Sequence, residues 1–128
     1  MLTDRPPTVL VADDDLDLLE LTAHGLRLAG LEVLCASDGC EALALYDEHH
    51  PQLMLLDWAM PGLTGTEVCA TVRGERQDRT TPILIASALG AHREREALKH
   101  GADEFLNKPV PLRVLRETVT RLLQGPRS

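Results

Sequence analysis

Short apolar runs recur along this chain, separated by polar stretches of helix length, and most of them end on a chemically able side chain. Val9-Leu10-Val11-Ala12 runs into Asp13-Asp14, and Leu53-Met54-Leu55-Leu56 runs into Asp57. Ile83-Leu84-Ile85-Ala86 runs into Ser87, and Phe105-Leu106-Asn107 into Lys108. Runs this short read as strands buried on both faces, which is the pattern of a parallel sheet. Parallel strands need long crossovers, and the intervening stretches are long enough to be helices. Open parallel sheets bind ligands beyond the carboxyl ends of their strands. Residues from both ends of the chain should therefore meet in one pocket: three carboxylates, a hydroxyl and an ammonium.

The first strand is predicted over residues 9–12. A helix follows from Leu16 or Asp17, with Leu18, Leu19, Leu26 and Ala29 on one side and Gly30 as C-cap. Residues 31–36 form the second strand, and Ser37-Asp38-Gly39 turns into a helix carrying Ala42, Leu43 and Tyr46. Pro51 stops that helix, and residues 52–56 form the third strand. The turn-rich loop from Trp58 to Gly65 leads to a helix with Val68, Cys69 and Val72 inward. Residues 83–86 make the fourth strand, and residues 91–100 a charged fourth helix with the weakest apolar face, closed by Gly101. Residues 104–107 are the fifth strand. Pro111 opens a last helix with Leu112, Leu115, Val119, Leu122 and Leu123 on one face and Val114 exposed opposite, among Arg113, Glu117 and Arg121. Five βα units in series make an α/β fold, a doubly wound (βα)5 sandwich with a five-stranded parallel sheet.

The chain of 128 residues suffices for one self-supporting core. Trp58, Tyr46 and Phe105 are the only aromatics, so aliphatic side chains must fill that core. A net charge of −7 argues against a surface that binds nucleic acid directly. No basic leader with an apolar stretch opens the chain and no run approaches membrane-spanning length, so a soluble cytoplasmic protein is expected. Cys35, Cys40 and Cys69 lack metal-ligand spacing and read as reduced, mostly core residues; the five histidines read as solvated. Neither G-x-G-x-x-G nor a Walker-type G-x-x-x-x-G-K is present, which excludes nucleotide-binding folds of those two types.

Asp13, Asp14 and Asp57 crowded at one sheet edge would repel strongly, and a hard divalent cation relieves that repulsion. Oxygen-only ligands with open positions suit magnesium, with manganese the alternative. A carboxylate flanked by a metal and by Lys108 can attack phosphorus, because the cations neutralise the transferring oxygens. Ser87 can donate to one of those oxygens.

At these residues the chain resembles the receiver domain of two-component response regulators. The likeness is carried by Val9-Leu10-Val11-Ala12-Asp13-Asp14-Asp15, Leu55-Leu56-Asp57-Trp58-Ala59-Met60-Pro61-Gly62, Pro82-Ile83-Leu84-Ile85-Ala86-Ser87-Ala88 and Gly101-Ala102-Asp103-Glu104-Phe105-Leu106-Asn107-Lys108-Pro109. Four blocks in this order and spacing are specific where one alone is weak. The resemblance implies a flavodoxin-like strand order 2-1-3-4-5, with a receiver domain over residues 8–124 and tails at 1–7 and 125–128. It implies that Asp57 is the phosphoacceptor, supplied by a phosphohistidine of a sensor histidine kinase or histidine phosphotransfer protein. Asp14 and Asp57 would bind magnesium through side chains, Asp13 largely through water, and Ala59 through its backbone carbonyl. Ser87 and Lys108 would bind the phosphoryl group, Phe105 would be an aromatic switch that rotates inward, and the Lys108–Pro109 bond would be cis. The implied output is an altered face of helix 4, strand 5 and helix 5, read by an output domain, a protein partner or a second copy in a homodimer. Such a domain is not a dedicated enzyme.

The chain departs from that family's pattern in three places. Phe105 replaces the more usual tyrosine and loses its hydroxyl. Ala59 and Leu89, two residues beyond Asp57 and Ser87, offer no polar group to orient a water, so slow self-dephosphorylation is expected. Thr64 stands where an acidic residue is common. The rival reading is an aspartate-nucleophile phosphohydrolase of the haloacid-dehalogenase type, which Asp13-Asp14-Asp15 resembles. Against it, Asp17 stands where Thr or Val is expected, Asp57 would have no role, and there is no room for a substrate cap. A pseudo-receiver that only binds is disfavoured by the intact Asp13, Asp14, Asp57, Ser87 and Lys108.

Overall fold

The structure, a computed structural model, describes residues 5–125; of the expected tails 1–7 and 125–128, residues 1–4 and 126–128 lie outside the described residues. The elements run β1 (Thr8–Ala12), α1 (Leu16–Leu28), β2 (Glu32–Ala36), α2 (Gly39–His49), β3 (Leu53–Asp57), α3 (Gly65–Arg73), β4 (Ile83–Ser87), a 3₁₀ turn (Ala91–Arg93), α4 (Glu94–Lys99), β5 (Glu104–Asn107) and α5 (Leu112–Leu123). All strand pairs are parallel, and the sheet order is β2-β1-β3-β4-β5.

Alternate side chains of each strand feed two cores. Leu10, Met54, Leu56, Ile83 and Ile85 pack beneath α2, α3 and α4 with Ala42, Val68 and Ala97. Val9, Val11, Leu53, Leu55 and Leu84 pack beneath α1 and α5 with Leu19, Leu26, Leu115 and Val119. Burying aliphatic side chains at about 25 cal/mol per Å² is the main stabilising term for both layers. Among the described residues, no helix is long and apolar enough to cross a membrane.

Several local expectations need correction. The third and fourth strands each run one residue further than their apolar runs, so Asp57 and Ser87 are themselves strand residues. The fourth helix is broken: residues 91–93 form a 3₁₀ turn after Gly90 (φ +112°), and only six residues are α-helical. No side chain caps either start, and Ala97 alone is buried, so little holds one continuous helix there. Ala29 is exposed because it is the C-cap of α1, past the last inward turn. Val114 is half-buried, since its neighbours Leu115 and Thr118 turn inward. Cys40 is exposed in the first turn of α2, beside the loop that carries Gly62. His100 is half-buried, with Nδ1 2.8 Å from the Glu96 carbonyl.

Candidate functional site

The pairing register levels the strand ends that build the site. Ala12 pairs with Leu56, Asp57 with Ala86, and Ser87 with Asn107, so the residues after β1, β3, β4 and β5 emerge at one edge. Asp15 caps α1 by accepting the Leu18 N–H, which leaves Asp13 and Asp14 in the turn between strand and helix. At the end of β3 the fold demands a glycine. A Cβ on Gly65 would lie 2.4 Å from the Asp57 carbonyl oxygen, while the Gly65 N–H donates to the Trp58 carbonyl at 2.8 Å. Thr64 closes a capping box with Glu67, which fixes the start of α3 against that strand end.

Carboxylate oxygens of Asp13, Asp14 and Asp57 all lie within 4.8 Å of one another. Lys108 joins them from the far strand: its Nζ donates to Asp13 Oδ2 at 2.8 Å and lies 3.3 Å from Asp57 Oδ1. The other Asp13 oxygen accepts the Asp15 N–H at 3.0 Å. Asp13 is buried, Asp57 half-buried and Asp14 exposed, so the cluster is closed on the core side and open to solvent at Asp14. Burial raises the Asp57 carboxyl above its ordinary range; the Lys108 charge opposes that and the neighbouring Asp13 carboxylate adds to it. Burial works against the Lys108 ammonium, but its hydrogen bond to Asp13 and the charges of Asp57 and Asp13 more than offset this and hold it protonated. A half-buried cluster with three acids and one base favours a further cation.

Ser87 is buried, and its Oγ accepts the Leu89 N–H at 3.0 Å. The Lys108 N–H donates to the Ser87 carbonyl at 2.8 Å, tying the two strand ends together. Ala59 and Leu89 are exposed on the loops beyond Asp57 and Ser87, and the Lys108–Pro109 peptide is cis. Phe105 is buried, packed edge-to-face on Trp58 with ring centroids 6.5 Å apart and planes at 84°. The Arg93 guanidinium lies 5.5 Å over the Trp58 ring and its Nη1 is 2.7 Å from Glu96. Phe105 of β5 and Arg93 of the 3₁₀ turn thus both pack on the side chain that follows Asp57. Arg93 has no motif to betray it, because the contact joins residues remote in sequence.

The donor set fits a hard divalent cation: three carboxylates from two strand ends, with Asp14 facing solvent where waters would complete the shell of a bound ion. Neither sulfur nor imidazole takes part in this cluster, so softer metals have no preferred ligand.

The family model described as "Response regulator receiver domain" matches residues 9–120. The transcriptional regulatory protein PrrA of Mycobacterium bovis is 42% identical over 119 residues, covering 92% of this chain and 50% of that protein. The regulator RpaA of Synechocystis is 32% identical over 119 residues, covering 92% of this chain and 49% of its own length. This chain therefore spans about half the length of these curated relatives. Among solved structures, a Francisella response regulator receiver domain superposes with a TM-score of 0.86 at 34% identity, covering 92% of this chain and 97% of that one. The chemotaxis response regulator CheY4 of Vibrio cholerae gives a TM-score of 0.84 at 33% identity over 91% and 98% of the two chains. With this sheet order, this cluster and a family match over nearly its whole length, the chain belongs to the response regulator receiver domains of two-component signalling.

Proposed function

We propose that this chain is a phosphorylation-controlled switch in which Asp57 accepts a phosphoryl group from a phosphohistidine of a sensor histidine kinase or histidine phosphotransfer protein. The observation that carries this reading is Lys108 Nζ set between Asp13 and Asp57, inside a carboxylate cluster open at Asp14. An Asp57 carboxylate oxygen forms the bond to phosphorus while the P–N bond to the donor imidazole breaks, and the electron pair leaves on the imidazole nitrogen. The product is an acyl phosphate. Magnesium, or manganese, held by Asp13, Asp14, Asp57 and the Ala59 carbonyl would supply charge neutralisation to the phosphoryl oxygens. Lys108 pairs with the arriving negative charge, and Ser87 exchanges its contact with the Leu89 N–H for donation to a phosphoryl oxygen.

That exchange pulls on the loop between β4 and α4, where few buried contacts resist it. Arg93 and Phe105, stacked on Trp58, lie on the same route. The face of α4, β5 and α5 then presents the signal to an output domain, a protein partner or a second copy. Relatives named as transcriptional regulators are about twice as long as this chain, which supports a separate output region in them. We assign residues 8–124 to the receiver, place the domain in the cytoplasm, and give it no dedicated enzymatic role and no direct contact with nucleic acid or membrane. Incubation with Mg²⁺ and acetyl phosphate or phosphoramidate, followed by intact-mass measurement, tests the reading. One added phosphoryl group, absent when a chelator is present from the start of the reaction, supports it; no modification with Mg²⁺ present refutes it.

A further inference from the structure

A cavity of about 280 Å³ opens between α1 and α5 and reaches Asp13 and Asp57 of the carboxylate cluster, but not Asp14. Its floor is the sheet, at Val11, Leu55 and Ala86; Leu18 and Thr22 wall it from α1 and Leu115 from α5. At the floor of this space β4 offers only the methyl group of Ala86. Dry apolar cavities of about 150 Å³ bind benzene, so this one is large enough for a two-ring body. Thr22 supplies the single hydroxyl of the lining, and every other polar side chain in it sits at one end: Asp13, Asp57 and Lys108. That end carries two carboxylates against one ammonium, and Lys108 already serves both. It attracts a cation and repels an anion.

We propose that this cavity is a binding site for a small amphipathic cation, a protonated arylalkyl amine, with its ring among Leu18, Leu55, Ala86 and Leu115 and its ammonium against Asp13 and Asp57. The inference goes beyond the phosphoacceptor reading and does not require it. Because the ammonium and a divalent metal draw on the same carboxylates, each weakens the other.

Three probes with one ring system separate the contributions: tryptamine, the neutral 3-ethylindole and the anionic indole-3-propionate, titrated by calorimetry and amide NMR into the metal-free protein. Tryptamine is expected to bind saturably, with shifts concentrated on α1, β4 and α5, and to weaken as Mg²⁺ is added. 3-Ethylindole should bind about tenfold more weakly, as expected from losing one charge-assisted contact, and without sensitivity to Mg²⁺. Ala86→Leu fills the floor and Thr22→Leu the wall; either should cost tryptamine about tenfold or more in affinity while Mg²⁺ binding persists. Thr22 lies on the half-exposed side of α1, so that variant remains informative if Ala86→Leu fails to fold. Absence of saturable binding, equal affinity for all three probes, or unchanged tryptamine affinity in Thr22→Leu overturns the proposal.

Discussion

Replacing Lys108 with methionine keeps most of the unbranched side chain and removes its charge, and the geometry gives opposite signs for two observables. Nζ lies 2.8 Å from Asp13 and 3.3 Å from Asp57. A divalent ion bound to those carboxylates at about 2.1 Å would sit roughly 4.5 Å from the ammonium. Charges of +1 and +2 at about 4.5 Å repel by about 2 kcal/mol even at the dielectric constant of bulk water. Lys108→Met should therefore bind Mg²⁺ roughly thirtyfold more tightly, the equivalent of about 2 kcal/mol. In the metal-free protein the same change leaves Asp13 and Asp57 facing each other and Asp14 without a nearby cation. Loss of one partner from a partly buried ion cluster should lower stability by about 1–3 kcal/mol, less than for a fully buried pair. Trp58 is the sole tryptophan and directly follows Asp57, so its fluorescence reports the Mg²⁺ titration. Thermal melts with and without Mg²⁺ report the stability. Unchanged or weaker Mg²⁺ binding in Lys108→Met refutes the electrostatic reasoning.

Ala59→Asn places an amide beside the acceptor, and one oriented water is worth about 1 kcal/mol, so the phosphoprotein should decay about five- to tenfold faster by quantitative mass spectrometry. An unaltered lifetime removes the argument from Ala59. Gly65→Ala forces a Cβ onto the Asp57 carbonyl and should cost about 1–3 kcal/mol by urea denaturation. Tyr46 donates to Asp78 at 2.5 Å, and burial followed by that bond pushes its hydroxyl up to about 12. Its folded pKa exceeds the unfolded value of 10.0, so stability should fall as pH rises from 10 toward 12, and Tyr46→Phe should abolish that fall. Burial alone would raise Asp78, but bonds from the Thr81 and Tyr46 hydroxyls and from the Thr81 and Thr80 amides hold it well below the carboxylate range. Its contribution should be full above pH 3.8 and lost as pH falls below it, so Asp78→Asn should flatten the acid limb of a stability profile.

The central strands β1, β3 and β4 were legible because a parallel sheet buries both their faces and leaves them as apolar runs, whereas the edge strands β2 and β5 carry polar residues at their ends. The convergence of Asp13, Asp14, Asp57 and Lys108 was legible for the same reason, since a parallel register places residues after such runs at one edge. Strands β3 and β4 extend one residue past their apolar runs, to Asp57 and Ser87, because polar side chains at the edge still pair through their backbones. The break at Arg93 was not legible, as it reflects missing caps and few inward contacts rather than a helix-breaking residue. The capping box at Thr64 and Glu67 is a four-residue signature that the sequence carries locally. The stack of Arg93 on Trp58 and the Tyr46–Asp78 bond leave no local trace, because each joins residues from different βα units.

The proposed switch requires that Asp57, and no other carboxylate of the cluster, take the phosphoryl group. Peptide mapping after reaction with acetyl phosphate and Mg²⁺ and reductive trapping of the acyl phosphate tests it directly. The modification should fall on the peptide bearing Asp57 and vanish in Asp57→Asn. Trapping on Asp13 or Asp14, or continued labelling of Asp57→Asn, contradicts it.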